Sequence, residues 1–170
     1  PLLFLNHEGK SFELAPAVKG SGLAEVLEGR GAAFGDLFNN GKMDVVINQL
    51  DGPAVLLRNV SADHNHWVGV KLIGSGTKSP RDAVGAKVFV TANGIRQRAD
   101  VISGGSFVSQ NDMRLHFGLG AATSVEKMEV VWPSGAKQSI APPQVDRYIT
   151  VEEGKGILPE KPAEAHGRKR

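Results

Sequence analysis

Apolar and polar residues alternate strictly over much of the chain after residue 65. In the segment 67–73, Val68, Val70 and Leu72 share one face, because side chains two residues apart on a strand point the same way. The same pattern recurs in the segments 86–92, 114–120 and 127–132. Asn93-Gly94 is a hairpin turn signal. Short alternating strands separated by such turns predict an antiparallel β-sandwich or a small barrel.

The first 60 residues contain shorter strands and many turn residues. Segments 2–5 and 11–14 predict a hairpin, and segment 17–30 predicts a short helix or a loop. Further strands are predicted at 32–34, 45–49 and 55–58. Because helical periodicity is almost absent, the whole chain is predicted to be all-β.

One loop in this first part carries candidate metal ligands. Oxygen-bearing side chains stand at Asp36, Asn40 and Asp44, and Gly41 lies where the loop must reverse. Calcium is bound by several oxygen ligands, often around a glycine that permits a sharp turn. An EF-hand would continue into a helix, whereas this loop continues into the β-branched run around Ile47. The pattern therefore predicts a cation-binding loop that leads into a strand.

The sequence Phe34-Gly35, followed by Asp-x-x-x-Asn-Gly-x-x-Asp and an apolar strand, resembles the FG-GAP or VCBS repeat of integrin-like β-propellers. The resemblance implies calcium held by Asp36, Asn40, Asp44 and the main-chain carbonyl of Lys42.

The third ligand position of that repeat departs from the pattern, because it holds Phe38. Fewer charged ligands imply weaker calcium binding. The alternative is a loop that keeps the turn and binds no ion, since Gly41 and the flanking strand are sufficient to form the turn.

Residues 65–151 resemble the ASPIC/UnbV domain. The resemblance lies in the segments 65–67, 81–86, 103–106, 109–110, 115–120 and 131–135. Together the two resemblances imply a cartilage acidic protein-like chain, with one or more partial β-propeller blades packed against an antiparallel β-sandwich. The implied boundaries are 1–60 for the end of one blade plus one repeat, 61–153 for the sandwich and 154–170 for a flexible basic tail.

These resemblances imply a non-catalytic, extracellular binding or adhesion module associated with calcium. The sandwich is its expected recognition surface, and an extracellular protein or a glycan is its expected partner. The chain begins at Pro1 without a signal-peptide pattern, so it is expected to be part of a longer secreted or cell-surface protein. The remainder of a propeller is expected upstream of Pro1.

Composition and charge exclude several other classes of function. Segment 155–170 holds five basic and two acidic residues, whereas the other 154 residues hold 15 basic and 16 acidic residues, a formal charge of −1. The basic pI of about 9.0 therefore comes from one end of the chain, and nucleic acid is not an expected partner. No apolar run approaches the roughly 20 residues that span a membrane. The absence of cysteine excludes disulfides and thiolate metal sites.

Two catalytic or metal-binding alternatives remain open from the sequence. His64 and His66 would share one strand face and could bind zinc, although no further ligands follow at a recognisable spacing. A hydrolase would use His116 with Asp112 and a nearby serine. The candidate serines are Ser103, Ser106 and Ser109.

A carbohydrate-binding module is the third alternative. Trp67 and Trp132 could stack on a sugar ring, which requires that an indole be exposed beside polar groups. Packing in the core is the competing interpretation for both tryptophans.

Overall fold

The computed structural model describes residues 1–7 and 9–159 and confirms the all-β prediction. Within these ranges the strands form four sheets, none of which closes on itself. The strands are β1 (Phe4–His7), β2 (Ser11–Leu14), β3 (Gly29–Gly35), β4 (Asp44–Gln49), β5 (Val55–Leu57), β6 (His66–Ile73), β7 (Lys87–Ala92), β8 (Ile95–Asp100), β9 (Leu115–Gly120), β10 (Lys127–Val131), β11 (Lys137–Ile140), β12 (Arg147–Glu152) and β13 (Gly156–Ile157). Among the described residues, no helix is long and apolar enough to cross a membrane.

The second half consists of two four-stranded sheets whose apolar faces pack together. One sheet has the order β11-β10-β7-β8 and the other β13-β12-β6-β9. The alternating apolar residues form one buried cluster between them, which includes Val70, Val90, Phe117 and Val130. The alternation predicted from the sequence therefore corresponds to the inner faces of a sandwich.

One strand pair contradicts a strictly antiparallel sandwich. β12 runs parallel to β6, with Ile149 opposite Val70. The preceding strand β11 belongs to the other sheet, so the chain crosses between sheets before it enters β12. Such a crossover delivers β12 in the same direction as β6, whereas a tight hairpin would have made the pair antiparallel.

The end of the sandwich also lies further along the chain than predicted. Gly156 and Ile157 form β13, which pairs with β12, so these residues are part of a sheet rather than of a tail. The remainder of the predicted tail, residues 160–170, lies outside the described residues.

The first part of the chain forms a hairpin and a separate three-stranded sheet. β1 pairs with β2 in the predicted hairpin, and the three later strands form a second sheet with the order β3-β4-β5. Between them, Gly22–Ala24 forms a single 3-10 turn. These strands are not closed into a ring, and their assignment to a propeller blade stays a prediction.

The three-stranded sheet is connected to the sandwich by main-chain hydrogen bonding. The carbonyl of Phe34 accepts a bond from the Asp112 N–H at 2.9 Å, and the Phe34 N–H donates to Oδ1 of Asn111 at 3.0 Å. Residues 111–112 therefore lie along the free edge of β3. This contact places the loop after β3 against the sandwich.

The carboxylate of Glu153, directly after β12, connects three loops by hydrogen bonds. Glu153 accepts hydrogen bonds from the hydroxyls of Ser134 at 2.6 Å and Ser79 at 3.0 Å, and from the N–H of Ser75 at 2.8 Å. Led by the Ser134 bond, these interactions lower the pKa of Glu153 to about 2. The folded protein therefore favours the charged form of this side chain.

We expect Glu153→Gln to lower the free energy of unfolding at pH 7 by about 1 kcal/mol, the typical value of a partly exposed hydrogen bond. Because the pKa is about 2 in the folded state and 4.5 in the unfolded chain, this contribution is complete above pH 4.5 and is lost as the pH falls towards 2. Urea unfolding between pH 2 and 6 measures it. Glu25→Gln, at an exposed position, is the control. An equal pH dependence in wild type and Glu153→Gln would contradict the prediction.

Candidate functional site

Asp36 is the first residue of the loop between β3 and β4, and its side chain is buried, with 1% exposed. Its Oδ1 accepts the N–H of Asn40 at 3.0 Å, and its Oδ2 accepts the N–H of Gly41 at 2.8 Å. Oδ2 also accepts the hydroxyl of Tyr148 at 3.1 Å. The carboxylate thus closes its own loop and holds a strand of the sandwich.

The other predicted ligands make hydrogen bonds of the same kind. Asp44, also 1% exposed, accepts the N–H of Leu37 at 3.2 Å and the N–H of Asn59 at 2.8 Å, one at each carboxylate oxygen. Oδ1 of Asn40 accepts the N–H of Lys42 at 3.0 Å. Each predicted side-chain ligand therefore already has a main-chain donor.

Phe38, which occupies the third ligand position, packs against an arginine. Phe38 is 47% exposed, and the guanidinium of Arg58 lies 4.3 Å from the centre of its ring. The ammonium of Lys42 donates to the carbonyl of Ser61. Phe38 and Arg58 thus form a cation–π contact.

The fit of calcium to this loop is poor. Calcium takes about six to eight oxygen ligands, and the loop offers Asp36, Asn40, Asp44 and one carbonyl. All carboxylate oxygens of Asp36 and Asp44 accept hydrogen bonds. Over residues 1–7 and 9–159, no three His, Cys, Asp or Glu side chains are grouped to hold a metal. Calcium binding stays a prediction, and the geometry explains the turn without it.

The loop packs on an aromatic surface of the sandwich. The side chains of Trp67 and Tyr148 meet edge to face, with ring centres 5.0 Å apart. Gly41 lies directly against the indole of Trp67, so closely that a Cβ at this position would overlap the ring. Burial and the Asp36 carboxylate raise the pKa of Tyr148 well above its ordinary value, so its hydroxyl stays protonated and donates to Asp36.

Arg114, the residue before strand β9, adds further contacts between the loop and the sandwich. Its guanidinium donates to the carbonyl of Asp36 at 2.9 Å and to Oδ1 of Asn39. It also lies 4.1 Å from the centre of the Tyr148 ring. Asp112 holds it through a 2.7 Å bond to Nε. We call the set of Asp36, Gly41, Trp67, Arg114 and Tyr148 the junction cluster.

Two members of the junction cluster were not among the predicted site residues. Arg114 and Tyr148 reach Asp36 over sequence separations of 78 and 112 residues. No local pattern connects positions so far apart, because the contact depends on how β9 and β12 lie against the loop. The one local signal was Gly41, which has a φ of +81° and therefore favours glycine.

His116 lies beside the junction cluster on the outer face of its sheet. Its ring stacks on Trp67 with centres 5.4 Å apart, and its Nδ1 is buried without a hydrogen-bond partner. Burial lowers the pKa of His116, and the charge of Asp36 only partly opposes this shift. The imidazole is therefore neutral near pH 7 and acts as a flat packing surface.

The family comparison concerns the strands that follow β6. Residues 76–158 match the ASPIC and UnbV family. The match covers slightly less than half of the chain and includes strands β7 to β13. Strand β6 precedes it, yet occupies an inner position of one sheet. A search of the curated proteins finds no match to this chain.

The described contacts do not bring together His116, Asp112 and a serine, the residues that the hydrolase alternative requires. Asp112 binds Arg114 rather than His116, and the pKa of Asp112, which partial burial would raise, is lowered by Arg114. Ser109 donates its hydroxyl to the carbonyl of Phe107. No described contact joins His116 to a serine.

His66 and the two tryptophans, which the zinc and carbohydrate alternatives would use, have structural roles instead. His66 Nδ1 lies 2.7 Å from Oδ2 of Asp146, which also accepts the Trp67 N–H at Oδ1; His64 is exposed. Trp67 and Trp132 are 8% and 2% exposed. Neither indole presents an open face for a sugar ring.

Proposed function

We propose that this chain is a non-catalytic binding module, in which an FG-GAP/VCBS-type repeat is fixed to an ASPIC/UnbV sandwich within a secreted or cell-surface, cartilage acidic protein-like protein. The observation that carries the proposal is the position of Asp36. Its buried carboxylate bonds to the main chain of its own loop and to Tyr148 of the sandwich. One side chain therefore holds the two parts in a fixed arrangement.

In this proposal the predicted calcium loop acts mainly as a hydrogen-bonded connector. Main-chain N–H groups and a tyrosine hydroxyl donate hydrogen bonds to the carboxylate oxygens of Asp36. A buried acceptor whose hydrogen bonds are satisfied in this way is stable. A rigid connection lets the outer faces of the sandwich be presented to an extracellular protein or glycan without the cost of ordering two independent parts.

A calcium-stabilised loop is the second candidate, and one observation favours it. Asp36 and Asp44 lie at the two ends of one loop and are both buried, and a cation close to a buried carboxylate favours its charged form. Binding to the folded state alone would then add stability that grows with the logarithm of the calcium concentration once this exceeds the dissociation constant.

Thermal unfolding of the whole chain with a chelator, with calcium and with magnesium tests both candidates. For the connector we expect the same melting temperature in all three solutions. A rise with calcium alone, lost in Asp44→Asn, would replace the connector with the calcium site. Serine-directed acylation that is lost in His116→Gln would overturn the non-catalytic proposal itself. A matched His64→Gln variant controls for the loss of an imidazole.

A further inference from the structure

The outer face of the β11-β10-β7-β8 sheet concentrates positive charge. The inner side chains of these strands are buried in the core, so the alternate positions face outwards. We call this outer surface the basic face. Its charged residues are Lys87, Arg96, Arg98, Lys127 and Lys137 with Asp100 and Glu129. Five basic and two acidic groups give it a formal charge of +3.

The charge of this face differs from that of the remaining surface. Residues 1–159 hold 16 basic and 16 acidic side chains in total. With +3 on the basic face, the other residues in this range sum to −3. The chain thus separates its charge, and an uneven field of this kind steers ligands of the opposite sign towards one surface.

The basic face has a groove rather than a flat arrangement of lysines. A concavity of about 440 Å³ is lined by Phe89, Arg96, Glu129, Lys137 and Ser139, among others. The guanidinium of Arg96 lies 4.1 Å from the centre of the Phe89 ring, which holds this cation in place by a cation–π contact. From the strand with Arg96 to the strand with Lys137 is three strand spacings, roughly 14 Å.

The acidic groups on the face leave the cations able to bind. Asp100 accepts hydrogen bonds from Nε and Nη2 of Arg98. A guanidinium has five N–H donors, so these bonds do not use all of them. Glu129 contacts both Lys127 at 3.0 Å and Arg96 at 3.7 Å. Arg96 and Lys127 are 57% and 59% exposed, so their remaining donors reach solvent.

We propose that the basic face binds an acidic polysaccharide, a partner class that rests on the proposed function and makes it specific. Arginine and lysine pair with carboxylate or sulfate groups along the chain. Glu129, Asp100 and Ser139 accept hydrogen bonds from sugar hydroxyls. A mixed surface of this kind suits a ligand that carries acid groups and hydroxyls in alternation.

The same surface suits nucleic acid less well. Single strands bind through open aromatic rings on which bases stack, and the ring of Phe89 is covered by Arg96. The two carboxylates would also face a phosphate backbone that offers few hydrogen-bond donors. Charge and hydrogen-bond complementarity together favour the polysaccharide.

The test is calorimetric titration of the whole chain with heparin, polygalacturonate, neutral dextran and a single-stranded oligodeoxynucleotide, each measured at the same low and the same high salt concentration. We expect heparin or polygalacturonate to bind, with affinity that falls as salt rises because counterions are released, and dextran to be silent. Absence of binding to both acidic polysaccharides, or tighter binding of the oligodeoxynucleotide than of either, would overturn the proposal.

Matched variants locate the site. Lys127→Gln with Lys137→Gln should weaken binding roughly tenfold, since two exposed ionic contacts are lost. Lys19→Gln with Lys78→Gln removes the same charge elsewhere and should leave affinity unchanged. A third variant, Arg168→Gln with Lys169→Gln and Arg170→Gln, should also bind normally. If either control weakens binding as much as the first pair, the basic face is not the site.

This experiment can fail without the proposed function failing. If no polysaccharide binds while the melting temperature stays independent of calcium and no acylation occurs, only the partner class is wrong. If acylation depends on His116, the non-catalytic module is wrong whatever the basic face binds.

Discussion

Replacing Asp36 with alanine should lower the free energy of unfolding by about 3 kcal/mol. The change leaves the N–H groups of Asn40 and Gly41 and the hydroxyl of Tyr148 without their acceptor. Each buried polar group that loses its partner costs about 1–3 kcal/mol, and water that enters the site recovers a part of this. Urea unfolding followed by tryptophan fluorescence measures the change, because Trp67 lies within the junction cluster.

Two variants and one solution condition separate the causes of this loss. Tyr148→Phe removes a single donor and should cost about 1 kcal/mol. Asp51→Ala, at an exposed position, should change stability by less than about 0.5 kcal/mol. The full loss for Asp36→Ala should persist in chelator, where calcium cannot contribute. A variant at Asp36 that is as stable as Asp51→Ala would remove the basis for the connector.

The sandwich was the most predictable part of the fold, because burial on one face of a strand imposes a period of two. Val88 and Val90, for example, alternate with outward residues and are fully buried. The Asn93-Gly94 signal also corresponds to a real turn, where both residues have positive φ as a type I′ hairpin requires. Local patterns were sufficient for these elements because their cause is local.

Strand direction was less predictable, because it depends on the path between strands. Residues 148–151 alternate between polar and apolar, and the apolar pair Ile149 and Val151 forms the buried face of β12. This alternation contains no information on the partner strand, and β12 joins β6 in parallel. A two-residue period specifies a face and leaves neighbour and direction open.

The candidate site was half predictable for a related reason. The Asp/Asn pattern predicts a tight loop between two strands, which the structure contains, while the burial of Asp36 and Asp44 was not predicted. Main-chain N–H groups and cations compete for the same oxygen lone pairs, so sequence alone cannot tell a hydrogen-bonded turn from a metal site. The contribution of Arg114 and Tyr148 depends on long-range packing and has no local signature.

The basic face was also not predictable from the sequence, because its residues come from different strands. Counted along the chain, basic and acidic residues balance up to residue 159, and no contiguous basic stripe is present. The basic face is assembled from four strands, with cations such as Arg96 and Lys137 brought together by sheet order. The prediction that nucleic acid is not a partner stays a prediction, and the oligodeoxynucleotide titration addresses it.

Gly41→Ala should destabilise the protein by about 2–4 kcal/mol. Gly41 has a φ of +81°, a conformation that costs an L-residue about 1–2 kcal/mol. The new methyl group would also overlap the indole of Trp67, and overpacking of this kind typically costs about 1–3 kcal/mol. The loop must therefore move away from the sandwich, which weakens the bond between Asp36 and Tyr148. Urea unfolding and the emission wavelength of tryptophan measure the two effects.

Gly94→Ala is a matched control for the backbone part of this effect. Gly94 has a similar φ of +71°, and nothing lies within 4 Å of the position of its missing Cβ. It should therefore lose only the conformational cost, about 1–2 kcal/mol, without a change in tryptophan emission. The difference between the two variants isolates the contact between the loop and Trp67. Equal losses would mean that the loop does not pack on the sandwich, and the fixed arrangement of the two parts would have to be abandoned.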